Sequence, residues 1–173
     1  MKINPVLLQT STDYNNDGEP DDIITYRYNS DGTVSREETD YGVDGEIDEF
    51  KEYQYKEDGS TSISTYDHNT DLLYTITYDK AGRVSLEDGN GYYDERQYDD
   101  NDNLVYVSYG SAGEGGGYAY YSYNANNDLT TSEDATCGYY NCYVDHVGYI
   151  YDSQNKLIQT ISYSEETYDA LTS

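Results

Sequence analysis

Along most of the chain, apolar and aromatic residues fall at every second position, and no stretch keeps the three-to-four spacing of an amphipathic helix. The clearest runs are "IITYRY" (23–28), "YTITY" (74–78) and "LIQTISY" (157–163). Clusters of Asn, Asp and Gly bound them, and these residues tolerate the positive φ that a tight hairpin requires. Six such clusters follow a tyrosine: "YNSDG" at Tyr28, "YKEDG" at Tyr55, "YDKAG" at Tyr78, "YDDNDN" at Tyr98, "YNANND" at Tyr123 and "YDSQNK" at Tyr151. The six tyrosines stand 27, 23, 20, 25 and 28 residues apart, which marks an internal repeat. Two positions before them come Tyr26, Tyr53, Ile76, Arg96, Tyr121 and Tyr149, placed by period two on the same strand face.

This pattern predicts an all-β fold of successive antiparallel hairpins forming an extended or spiralling repeat sheet; a β-sandwich or a closed barrel would also fit. Eight residues after the turn residues Gly32, Gly59, Gly82, Asn103 and Asp128 come Asp40, Asp67, Asn90, Ser111 and Thr136. Length varies only beyond those points, so the variable loops are expected on one side. Residues 1–22 read as an extended segment with an acidic loop, 23–163 as a six-unit hairpin domain and 164–173 as a tail.

Composition changes the picture in two ways. Hydrophobic residues make up 35% of the 173, but 25 of them are tyrosine, so the core is thin and phenolic rings must stand in for aliphatic side chains. Thirty-five acids against nine Lys and Arg give a formal charge of -26. That charge repels nucleic acid and anionic lipid, and it favours uptake of cations. No stretch approaches the roughly 18 apolar residues of a membrane helix. "MKINPVLLQT" lacks a signal peptide's apolar centre, so the sequence reads as a mature or excised piece. Cys137 and Cys142 are the only cysteines, and a local disulfide in an oxidising compartment is the expected use, with two reduced thiols as the alternative. Zinc is disfavoured, since only His68 and His146 could join them.

The acids are also patterned. "DYNNDGEPDD" places Asp13, Asn15, Asp17, Gly18, Glu19 and Asp21 at positions one, three, five, six, seven and nine of a D-x-[DN]-x-[DN]-G calcium loop. In that geometry alternate oxygens turn inward, position seven offers its backbone carbonyl and glycine makes the sharp bend. "DYGVDGEID" repeats the layout with Asp40, Asp44, Gly45, Glu46 and Asp48, but Gly42 occupies position three without an oxygen-bearing side chain. Ile24 and Lys51 stand where an EF-hand carries its bidentate Glu, and no helices flank either loop, so a shorter Ca2+ loop is expected. "DHNTD" (67–71) is a third candidate and "DGNGYYD" a weaker one. A solvated Asp/Gly turn is the plainer reading of all four.

The unit "YDKAGRV" (78–84) resembles the YD repeat of the RHS family, and the other five units are looser versions of it across roughly residues 23–163. The resemblance implies a secreted or cell-surface bacterial protein built of strand-turn-strand units. Six units are too few to enclose a cargo chamber as long family members do, and no stretch of these residues reads as the family's terminal catalytic or toxic domain, so those family functions are not expected to carry over.

No catalytic motif is visible. "GSAGEGGGY" (110–118) is glycine-rich but has no helix after it to hold a phosphate, and with 35 acids a pair of carboxylates carries no information. His146, next to Asp145, is expected to be structural or at the surface. Tyrosines in two stretches, Tyr118 and Tyr120 in one and Tyr139 and Tyr140 in the other, are the candidate contact residues for a ligand such as a glycan. The functional expectation is a non-enzymatic, calcium-stabilised, secreted or cell-surface structural or adhesive module, such as a surface-fibre subunit whose "KINPVLLQT" adds a strand to a neighbour. A lectin-like module is the alternative. The expected partners are therefore further copies of the chain or a surface glycan, with no nucleic acid and no membrane insertion.

Overall fold

A computed structural model describes residues 8–112, 115–138 and 141–168. Among them there is no helix, and so none long and apolar enough to cross a membrane. The chain divides into two compact units at residue 84. The first holds β1 (Leu8–Thr12), β2 (Asp22–Tyr28), β3 (Val34–Tyr41), β4 (Glu49–Tyr55), β5 (Thr61–Asp67) and β6 (Leu72–Tyr78). The second holds β7 (Val84–Gly89), which opens at the boundary, β8 (Tyr92–Tyr98), β9 (Leu104–Ser111), β10 (Gly115–Tyr123), β11 (Leu129–Cys137), β12 (Asn141–Tyr151) and β13 (Leu157–Tyr168). Within each unit every strand pairs antiparallel with the next. Each unit is thus an open layer of hairpins, and neither packs a second sheet on the first as a sandwich would.

The turn chemistry repeats to the atom. In all six repeat turns the residue after the tyrosine (Asn29, Lys56, Asp79, Asp99, Asn124, Asp152) donates its N–H to the carbonyl four residues on and accepts the N–H three residues on. The third residue has positive φ: +92° at Gly32, +87° at Gly59 and +81° at Gly82, then +66° at Asp102, +65° at Asn127 and +60° at Asn155. This is a type I turn closed by a left-handed residue, which explains why Gly gives way only to Asp and Asn there. "DHNTD" makes the same turn, with Thr70 at +69° and the N–H groups of Asn69 and Asp71 both bonded to Asp67 Oδ1. "DGNGYYD" is a tight hairpin through Asn90 and Gly91, both at positive φ, joining β7 to β8. Hydrogen bonds hold the turn carboxyls below the usual range: the Arg83 side chain at Asp79, the Thr33 hydroxyl at Asp31, the Ser60 hydroxyl at Asp58 and the backbone of Asp71 at Asp67.

The turn tyrosines tie one repeat to the one before it. Tyr123 donates its hydroxyl to the Leu104 carbonyl (3.0 Å) and Tyr151 donates to the Leu129 carbonyl (2.9 Å), in each case the first residue of the preceding return strand. Burial, then the charge of a carboxylate in the preceding turn (Asp31 for Tyr55, Asp99 for Tyr123), raises the pKa of both phenols.

The buried apolar side chains among the described residues are few: Phe50, Ala119, Ala135 and Val144. Rings and charged stems cover the remaining sheet. On one face of the first unit, Tyr53 pairs across with Ile63 and Ile63 with Ile76, next to a row in which Tyr26 opposes Glu37 and Glu37 opposes Lys51. Lys51 Nζ lies 2.9 Å from Glu37 Oε1, and Tyr53 donates to Glu37 Oε2 at 3.3 Å. The other face carries a charged chain from Arg27 through Glu38 and Arg36 to Glu52. There the Arg36 guanidinium lies 3.6 Å over the Phe50 ring, which stacks on Tyr66.

Alkaline pH will expose this dependence on phenols. Burial of the ring and then the Glu37 charge push the Tyr53 pKa up to about 12. A pKa raised on folding gives stability that is fully present below the unfolded value of about 10 and is lost as pH rises through the folded value. Unfolding midpoints are therefore expected to fall between pH 10 and about 12 as phenolate absorbance grows. Tyr53→Phe should lose less over that window; an identical drop would mean the Tyr53 hydroxyl is not held as described.

Candidate functional site

Two places concentrate chemistry, one in each unit. The first is the pair of acidic loops, one between β1 and β2 and one between β3 and β4. They are built alike, most of their bonds being made by residues 27 positions apart, although the N–H on Asp13 comes from Asn16 and the one on Asp40 from Asp44, one place further round. Asp13 accepts N–H bonds from Asn16 (2.7 Å) and Gly18 (2.9 Å); Asp40 accepts them from Asp44 (3.1 Å) and Gly45 (3.0 Å). Asp21 Oδ2 takes the Tyr14 N–H and Asp48 Oδ2 the Tyr41 N–H, both at 2.7 Å. Asp17 and Asp44 accept from Glu19 and Glu46, both at 2.9 Å. The N–H groups of Asp21 and Asp48 return to the carbonyls of Thr12 and Thr39. Gly18 and Gly45 supply the positive φ at which the chain bends.

The loops differ at position three. Asn15 bonds the Asp17 N–H, while Gly42 at the matching place sends its own N–H to the Asp21 carbonyl at 2.7 Å and joins the second loop to the first. The donors are all oxygens, which suit a hard cation. As placed, however, the carboxylates of Asp13, Asp17, Asp21, Asp40, Asp44 and Asp48 accept backbone N–H groups. Among the described residues no three Asp, Glu, His or Cys side chains converge as a metal centre.

The second place is a trough on one face of β10 to β13, a concavity of about 670 Å³. Strand register builds it: Tyr106, Tyr120, Glu133, His146 and Tyr163 are successive cross-strand partners from β9 to β13. Tyr120 and Tyr163 form its two ends, 50% and 61% exposed. Each end ring is braced from the side. Tyr120 lies 4.9 Å from Tyr106 and 5.5 Å from Tyr118, and Tyr163 stacks on His146 at 4.5 Å. His146 bridges two carboxylates, with Nδ1 3.4 Å from Glu133 and Nε2 3.2 Å from Glu165. Burial, then the Glu133 charge, raises the Tyr118 pKa. The neighbouring row, Ser122, Thr131 and Gly148, leaves the floor low.

Of the contact residues expected from sequence, Tyr120 lines the trough and Tyr118 braces it, whereas Tyr139 and Tyr140 lie outside the described residues. Glu133, His146, Ile161 and Tyr163 were not legible as members, because nothing in the chain's linear order relates them to Tyr120. At the end of the β11–β12 hairpin, Cys137 and Cys142 are direct cross-strand partners joined by a disulfide (S–S 2.06 Å), a loop closure of about 2 kcal/mol by chain entropy. In the N-terminal stretch offered as a donated strand, residues 8–10 already pair with β2, and residues 2–7 lie outside the described region.

No protein-family model matches the chain, and no curated protein matches it. Among solved structures, a chain of the Photorhabdus luminescens Tc holotoxin pore is similar over 83% of this chain and 11% of its own length, with 11% identity and a TM-score of 0.31. The chain thus spans about a ninth of that protein, and a score at this level supports no argument about fold or function.

Proposed function

We propose that the chain is a non-enzymatic, secreted or cell-surface β-hairpin module with a structural or adhesive role, of the YD-repeat kind that its tyrosine turns resemble. The observation carrying this reading is the sameness of the six turns: one backbone bonding pattern recurs down the chain while the residues between turns vary. Such scaffolds extend by adding repeats, and open strand edges suit association into a fibre. Sedimentation at rising concentration tests this, since growth into polymers supports the fibre form. A second reading, glycan binding, is favoured by the trough; a monomer retained on polysaccharide resin supports it.

Calcium belongs to the same proposal. Two loops of one geometry, oxygen donors alone and a chain of charge -26 suit a hard divalent cation. A carboxylate oxygen that accepts one N–H keeps a second lone pair for it. Melting in excess calcium is expected several degrees above melting with chelator, with magnesium at equal ionic strength giving little of the rise. Coincident curves in all three would leave the loops as hydrogen-bonded turns that need no metal.

A further inference from the structure

We propose that the trough across β10–β13 binds a segment of polysaccharide that carries no negative charge, its sugar rings running along the row from Tyr120 to Tyr163. The inference rests on the adhesive reading above and says where the contact is made and with what chemistry.

Three observations carry it. First, the two end rings are open to solvent yet immobilised by neighbours, Tyr120 by Tyr106 and Tyr118 and Tyr163 by His146. Exposed rings held in place lose little side-chain freedom when a ligand covers them. Second, the ends are three strands apart, roughly 14 Å at about 4.8 Å per strand. That is too far for the rings to close around one small cation as an aromatic cage does. An extended ligand with flat faces fits, stacking at both ends. Third, the middle of the row is polar: Glu133 lies beside His146, whose other ring nitrogen is held by Glu165 from outside the trough, with the Ser122 and Thr131 hydroxyls alongside.

Carboxylates only accept hydrogen bonds, so the ligand must bring donors. Sugar hydroxyls do so at nearly every carbon. A proline-rich peptide, which also favours aromatic grooves, brings almost none. Among the described residues no Lys or Arg lines the trough, and the chain's charge of -26 repels anionic polymers. What remains is a neutral or amine-bearing glycan, the amine gaining from Glu133.

The test is affinity electrophoresis of the full chain through cello-oligosaccharide, chitosan oligosaccharide, alginate and a proline-rich peptide, each immobilised. Retardation by one or both of the first two is expected. Tyr120→Ala and Tyr163→Ala should each weaken it tenfold or more, the scale on which loss of a stacking ring acts. Tyr41→Ala, which removes an equally exposed ring from the other unit, should leave it unchanged. Tyr163→Phe keeps the ring and should keep binding, which separates lost stacking from lost folding. In the unmodified protein, glycan should also perturb tyrosine absorbance. Retardation undiminished in both Ala variants would overturn the trough and leave glycan adhesion standing elsewhere on the chain. Retardation by alginate alone, or by the peptide alone, would overturn the ligand class. No retardation by any glycan, with polymers still forming at high concentration, would overturn glycan binding and leave the fibre reading intact.

Discussion

Gly117→Val is expected to cost the second unit at least about 3 kcal/mol, seen as a large fall in its urea midpoint or as failure to fold. In β10, Gly117 lies between Tyr109 of β9 and Thr136 of β11. The Tyr109 phenol covers it: a Cβ there would meet the phenolic oxygen at 2.6 Å and the ring carbon that bears it at 2.7 Å, and would collide with the Ala135 carbonyl. The ring could turn away; a backbone carbonyl inside a strand pair cannot without breaking the ladder. Overpacking alone costs about 1–3 kcal/mol, and lost pairing adds to it. Gly148→Ala is the control. Its Cβ would meet nothing nearer than the Ile161 carbonyl at 3.8 Å, so a change within about 0.5 kcal/mol is expected. Wild-type stability in Gly117→Val would mean that β9, β10 and β11 do not pair as described. The glycine-rich stretch thus closes β9 and opens β10, its lack of side chains letting three strands approach around a tyrosine ring.

Lys51→Met is expected to destabilise the first unit by about 2–3 kcal/mol, below the roughly 3–5 kcal/mol that breaking a fully buried pair costs because Lys51 is partly exposed. The Glu37 side chain is 12% exposed and sits between Tyr26 and Lys51 with the Tyr53 hydroxyl on it, Lys51 being its cation. Partial burial opposes the Lys51 charge, but the Glu37 hydrogen bond and charge outweigh it and hold the ammonium pKa above its ordinary value. Without Lys51, the Tyr53 hydroxyl alone faces a poorly hydrated carboxylate. The double variant Glu37→Met/Lys51→Met should recover most of the loss, since two apolar side chains of similar volume replace the pair. Equal losses in single and double variants, measured by urea unfolding, would show that Lys51 acts through its stem and not its charge.

The hairpins were legible because they are local. A turn of five residues with Asn, Asp or Gly at the left-handed place specifies itself, and the residues eight beyond each turn fall at or beside the ends of β3, β5, β7, β9 and β11. The shared face of Tyr26 with Tyr28 and of Tyr53 with Tyr55 follows from period two alone. The matching of the two acidic loops could also be read from their spacing. The role of Gly42 could not, because its N–H finds the Asp21 carbonyl of a different loop.

Counting by two fails beyond each bulge. Between Arg27 and Tyr28 the partner changes from Arg36 to Val34, and between Ser122 and Tyr123 it changes from Thr131 to Leu129. One residue of the return strand is skipped, and every side chain after it changes face relative to a simple count. The trough depends on four such strand alignments in succession, from β9 to β13. By itself, then, the sequence determined the hairpins, their turns, the repeat and the shortage of aliphatic core, all set by residues within one turn or one strand of each other. Only the tertiary structure decided that Tyr120, Glu133, His146 and Tyr163 lie in one row, because register is fixed by hydrogen bonds between strands and by where each bulge resets the alternation.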